Sequence, residues 1–220
     1  MIDNIQQMTQ LSGEQAELLA YYKRHYVDLA SERVGGETLS CSDDFFAPME
    51  NLIKAGRGIF IEDKYTERGK WMDGWESRRS YGRSFRQQAN TDHDWCVVRL
   101  GIAGFIKGID VDTNYFRGNA PQEISLEACN SEQQPNEATK WTEIIKKVSV
   151  KSHSQNIFSV DSGQSWTHLR LKMYPDGGIA RFRVYGEADV NWDGFVKGEL
   201  IDLAAIKNGG KAMLVSDMFF

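Results

Sequence analysis

Residues 28–46, DLASERVGGETLSCSDDFF, return near the end of the chain as residues 202–220, DLAAIKNGGKAMLVSDMFF. Asp28, Leu29, Ala30, Gly35, Gly36, Ser42, Asp43, Phe45 and Phe46 each recur 174 positions later, without a gap. A period that long exceeds any solenoid unit and suits a whole domain duplicated in tandem. The chain therefore reads as a helical extension (1–26), one complete repeat (27–186), a linker (187–201) and the truncated start of a second repeat (202–220). Phe219 and Phe220 are expected to lack core partners of their own, so unless they dock on the first domain the second start should expose an apolar patch.

With 220 residues there is room for one domain with a sizeable core. Charged residues at 26% and hydrophobic residues at 41% are a soluble globular balance rather than a disordered one. No apolar run approaches the roughly 20 residues of a membrane helix. The opening MIDNIQQMTQ lacks the basic start and apolar centre of a secretory signal. Cys41, Cys96 and Cys129 have no metal-like spacing and read as reduced core thiols, which places the protein in the cytoplasm. A net charge of −5 counts against nucleic acid as the main partner, but leaves a small anion open.

Leu18, Leu19, Tyr22 and Tyr26 fall at helix spacing, and Ser12 with Gln15 fits a capping box. Further on the period becomes two. Residues 95–100 and 105–113 read as strands joined by a Gly-containing turn, followed by strands at 123–129, 167–174 and 179–185. Pro175-Asp-Gly-Gly178 marks the last turn, and Met49–Lys54 allows one helical turn. Alternation with one wet face predicts an all-β fold, a two-sheet β-sandwich or jelly roll preceded by the helix.

Four clusters can carry chemistry. Lys70–Arg79 packs two Trp, two acids and two Arg into ten residues, enough to clamp a carboxylate beside aromatic walls. A salt-bridged loop anchored by Trp would read alike. Asp92-His93-Asp94 stands at a strand entrance, where an imidazole beside carboxylates suits proton transfer or simply a turn. Asp110 and Asp112 share the strand face opposite Val111, with Arg117 and Asn119 in the next loop. Arg181 and Arg183 likewise share a face opposite Phe182 and Val184, ready for an anion or for cross-strand acids. Gly-x-Ser-x-Gly, P-loop and dinucleotide motifs are missing, and the four His show no zinc spacing.

The text at these clusters resembles the allantoicase family: DLASERVGG, SDDFFAPMENL, FIEDKYTERGKWMDGWESRR, HDWCVVRLG, GIDVDTNYFRGN and MYPDGGIARFRVYG. The resemblance runs from Val27 to Gly186 and includes the second start. It implies two tandem galactose-binding-like jelly rolls, a homo-oligomer, and on the order of 150 further residues for a full second copy. The implied substrate is allantoate, with one carboxylate and two ureido groups on one carbon, hydrolysed to ureidoglycolate and urea in purine breakdown. That chemistry needs an acid and a base near the carbon and a clamp for the carboxylate. Glu76, His93 and Asp94 are the candidates for proton transfer. Arg78, Arg79 and Arg181 would bind the carboxylate or a ureido oxygen, Asp112 and Asn119 the ureido groups, and Trp75 would form an apolar wall. These groups are expected to meet around one cavity. No metal ligand and no cofactor is assigned. The competing reading is a galactose-binding-like module that holds a sugar or small anion without reacting.

Overall fold

A computed structural model of the protein describes residues 11–79 and 91–212. The first element is the expected helix, α1 (Gly13–His25), with Lys23, Arg24 and His25 in its last turn, where cations suit the helix dipole. Ser12 is its N-cap, but its side chain makes no capping bond, so the capping box is not formed. Among the described residues twelve strands follow: β1 (Val27–Asp28), β2 (Glu37–Cys41), β3 (Tyr65–Thr66), β4 (Gly69–Lys70), β5 (Trp75–Glu76), β6 (Asp94–Asp112), β7 (Glu123–Cys129), β8 (Thr142–Ser149), β9 (Gln155–Ser159), β10 (Ser165–Tyr174), β11 (Gly178–Ile179) and β12 (Arg181–Ala188). The helical turn at Met49–Ile53 is 3₁₀.

The organising element is β6. Its 19 residues form one continuous strand where the sequence suggested two strands and a turn. A strand has only two edges, yet β6 pairs with four partners. Its first half is flanked by β2 and β10 and its second half by β12 and β9, all antiparallel. The strand thus passes from one layer of the sandwich into the other, and register shifts in β2 and β10 beside residues 97–104 accommodate the change. β7 and β8 extend the first layer and β1 the second.

Alternation decides what lies inside. Val98, Leu126, Leu169 and Leu171 meet Ile109, Val111, Phe182 and Val184 in one buried cluster that also contains Trp75. β8 and β9 carry no clean alternation of their own. β8, at the sheet edge, has no fully buried residue, which explains why it was not legible as a strand. α1 packs on the second layer through Leu19 and Tyr22, against Ile157 and Tyr185. Gly108 allows this approach, because a Cβ there would sit 2.2 Å from the Tyr22 ring.

Candidate active site

On β6 the core side chain Val111 puts Asp110 and Asp112 on the opposite face, and the antiparallel register sets Arg183 beside Asp110 and Arg181 beside Asp112. Over these four residues lies a cleft of about 270 Å³. Its other walls include Asp28, Ser31 and Arg33 from the duplicated stretch, Arg57 from the loop after the 3₁₀ turn, Gln155 from β9 and Lys23 from α1.

Nearly every buried charge here is matched. Asp112, 1% exposed, receives Arg57 Nε and Nη2 at 2.9 and 3.0 Å and the Asn114 N–H at 2.9 Å. Arg181, 3% exposed, donates through Nη2 to Asp73 Oδ2 at 2.7 Å and through Nη1 to the Asp73 and Ala180 carbonyls. Arg183 reaches Asp28 and the carbonyls of Lys54 and Gly56. Asp110 is different. Its Oδ2 accepts from Gln155 Nε2 at 2.6 Å, but its buried Oδ1 has no partner. Arg181 Nε is likewise buried without an acceptor. Burial first, and the neighbouring Asp112 charge second, push the Asp110 carboxyl up to about 7, against the opposing pull of Gln155, Lys23 and Arg57. On the rim, Lys23 and Arg33 are exposed and form no ion pair among the described residues.

The other sequence candidates lie elsewhere. Segment 73–79 carries or holds several of them: Asp73 holds Arg181, Trp75 enters the core, Glu76 accepts from Asn119 Nδ2 at 2.7 Å, and Arg78 and Arg79 pair with Asp43 and Asp176. Glu76 is pushed above its ordinary value by burial, which Asn119 and Arg79 oppose. Arg79 and Asp176 line a separate cavity of about 370 Å³. Trp75 is 0% exposed, and its Nε1 donates to the Asp43 carbonyl at 2.8 Å, so it faces the core rather than a cavity. Asp94 is 0% exposed and accepts from Ser42 Oγ at 2.9 Å. His93 Nδ1 meets Asp92 at 2.8 Å, with Tyr174 beside its ring. The acid–guanidinium cleft therefore contains Asp112 and Arg181 but not Glu76, His93, Asp94 or Asn119. One cavity shared by all of them, the expectation from sequence, is not what the structure builds.

Sequence reasoning placed Asp110 on the right face without naming it as a site residue. It missed Arg57, Gln155 and Lys23, which come from segments without a motif. Asp28 carried a usable signal, because it opens the duplicated stretch. Among the described residues no group of three or more His, Cys, Asp or Glu is arranged to hold a metal ion.

The model of the allantoicase repeat matches residues 27–189. A probable allantoicase of Burkholderia mallei is 44% identical over 90% of this chain and 57% of its own length. The allantoicase of Dictyostelium discoideum is 41% identical over 90% of this chain and 53% of its own. The chain belongs to the allantoicase family. Among solved structures, Saccharomyces cerevisiae allantoicase superposes with a TM-score of 0.67 at 32% identity, covering 90% of this chain and 58% of that one. The carbohydrate-binding module CBM32-3 of a Clostridium perfringens glycoside hydrolase shares the fold alone, at a TM-score of 0.51 and 14% identity. This family member spans a little over half the length of the curated allantoicases it matches. No helix among its described residues is long and apolar enough to cross a membrane.

Proposed function

We propose that this allantoicase repeat hydrolyses allantoate to ureidoglycolate and urea, and that the reaction takes place in the acid–guanidinium cleft. The observation that supports this most is a complementary pair of polar atoms without partners, Asp110 Oδ1 and Arg181 Nε, both on residues lining one small cleft. A ureido group carries an N–H for the first and a carbonyl oxygen for the second. Lys23 and Arg33 on the rim suit the carboxylate of the substrate.

The bond changes follow from the substrate. The lone pair of one ureido nitrogen assists departure of the other, whose nitrogen takes a proton and leaves as urea. Water then adds to the resulting C=N carbon and gives up a proton, so the overall change is one C–N bond broken and one C–O bond formed. Asp110 can do both transfers. With its carboxyl near 7 it is about half protonated at neutral pH, acid for the leaving nitrogen and then base for the water. Glu76, with Asn119 and Arg79, is a second carboxylate raised by burial, 34 residues earlier in the chain, and it stands as the alternative acid. Cytoplasmic residence and homo-oligomeric assembly belong to the same reading, the latter checked by sedimentation.

The test is urea release from allantoate by the chain and by single variants. Asp110→Asn should lower kcat by ~10²–10⁴-fold, the range for loss of a general acid or base, with the basic limb near pH 7 removed from the profile. Glu76→Gln should leave that limb in place. If Glu76→Gln abolishes it and Asp110→Asn does not, the chemistry belongs to the other cluster. A chain that binds allantoate and releases no urea would show the binding module instead.

A further inference from the structure

A second cavity, of about 350 Å³, lies on the outer face of the first layer. Strand register places Glu37, Arg99 and His168 in one row across β2, β6 and β10. Loop 131–134 and Thr167 enclose the polar side of the cavity, and Leu39, Leu100 and Ala103 the apolar side. None of the residues described in the acid–guanidinium cleft takes part.

His168 is the unusual member. It is 3% exposed, and its Nε2 is buried without a hydrogen-bond partner. A buried polar group left unsatisfied is costly, so a partner that enters the cavity and bonds to it recovers free energy. Burial, and then the charge of Arg99, hold the imidazole below its ordinary value and hence neutral at pH 7. Its Nδ1 lies 2.8 Å from Thr167 Oγ1. That hydroxyl accepts from the Ser131 N–H at 3.0 Å and is within reach of the Cys129 and Ser131 carbonyls. Thr167 can therefore accept from Nδ1–H or donate to bare Nδ1, which leaves Nε2 as acceptor or donor respectively. A hydroxyl group satisfies Nε2 in either tautomer, because it both gives and takes a hydrogen bond. Arg99 lines the same cavity, and its 2.7 Å pair with Glu37 is solvent-exposed, the class of ion pair that exchanges readily for another carboxylate.

We infer that this cavity is a binding site for a small 2-hydroxycarboxylate, with the hydroxyl on His168 Nε2 and the carboxylate on Arg99. The hydroxy acid released by the proposed reaction belongs to this class, and so would reach the site as product.

The probe is glycolate, added to the 220-residue chain while the histidine ring resonances are followed by long-range ¹H–¹⁵N spectra. His168→Phe identifies the signal by its loss. Acetate, which lacks the hydroxyl, and ethylene glycol, which lacks the carboxylate, are titrated in parallel. Glycolate should shift the His168 ring saturably with a Kd on the order of 1–10 mM, and each control should bind at least ~10-fold more weakly. Arg99→Gln should bring glycolate down to the level of ethylene glycol. No shift of His168 at ~50 mM glycolate, or equal shifts with acetate or ethylene glycol, overturns the assignment. If His168→Phe fails to fold, His168→Gln identifies the signal in the same way.

Discussion

Asp110 and Arg181 show how burial separates two charged groups with similar surroundings. Arg181 is compensated by Asp73 at 2.7 Å, so removing it leaves a carboxylate with 9% exposure unmatched. Arg181→Met should therefore destabilise the fold by about 3–5 kcal/mol, measured by urea denaturation. Asp110 lacks such compensation, and its raised carboxyl gives a sign opposite to the usual acidic residue. The folded state holds this proton more tightly than the unfolded state does. The penalty for charging it is absent below pH 3.8, grows as pH rises and is complete above about 7. Asp110→Asn, which cannot ionise, should gain stability relative to wild type between pH 5 and pH 8, by on the order of 1–3 kcal/mol. Melting curves at the two pH values check this; a difference independent of pH would mean that Asp110 is not raised.

Among the elements, α1 and β6 set the geometry of the cleft. The helix precedes the matched repeat at 27–189, yet it brings Lys23 to the rim and seats Tyr22 where Gly108 has no side chain. Tyr22 also bonds to Ser159 through its hydroxyl at 2.8 Å. Gly108→Ala would force the ring away, at a cost of about 1–3 kcal/mol. Amide exchange should then speed up in residues 13–25 while β10 stays protected, and, if the proposed cleft binds allantoate, that affinity should fall with Lys23 displaced. Faster exchange throughout the sandwich would instead mean that the helix and the sheets unfold together. The layer change within β6 matters just as much. It brings Asp110 and Asp112 beside β12, and segment 73–79 then links that end to Asp43, whose neighbour Ser42 donates to Asp94.

At the scale of the whole molecule, the duplicated stretch is an internal control. Asp28 and Asp202 each accept from the N–H two residues on, at 3.3 and 2.9 Å. Gly35 and Gly209 both adopt left-handed backbone, φ 90° and 85°, after a 3₁₀ turn. Gly36 and Gly210 both donate to the carbonyl five residues back. The surroundings differ: Leu29 is 0% exposed in the core, and Leu203 is 68% exposed beside Leu200 at 98%. Leu29→Ala should cost about 2–5 kcal/mol and Leu203→Ala under ~0.5 kcal/mol in parallel urea denaturation. Equal losses would mean that the second start is packed in solution. The duplicated residues 213–220, including Phe219 and Phe220, lie outside the described residues.

The same comparison separates what was legible from what was not. The turn at 175–178, the helix and the inward-facing residues of β7, β10 and β12 depend on neighbours within a few positions, so the sequence alone determined them, whereas the turn expected between residues 100 and 105 gave way to the continuous pairing of β6. It also determined that Asp110 and Asp112 share one face, as do Arg181 and Arg183, because a strand alternates. Which acid faces which guanidinium was decided only by the pairing of β6 with β12 and by the arrival of Arg57, Gln155 and Lys23 from distant segments. The separation of Glu76 and His93 from that cleft was decided there too, as was the burial of Leu29 and the exposure of Leu203. Hydrogen-bond satisfaction and desolvation depend on everything within a few ångströms, and chain order does not record which residues those are.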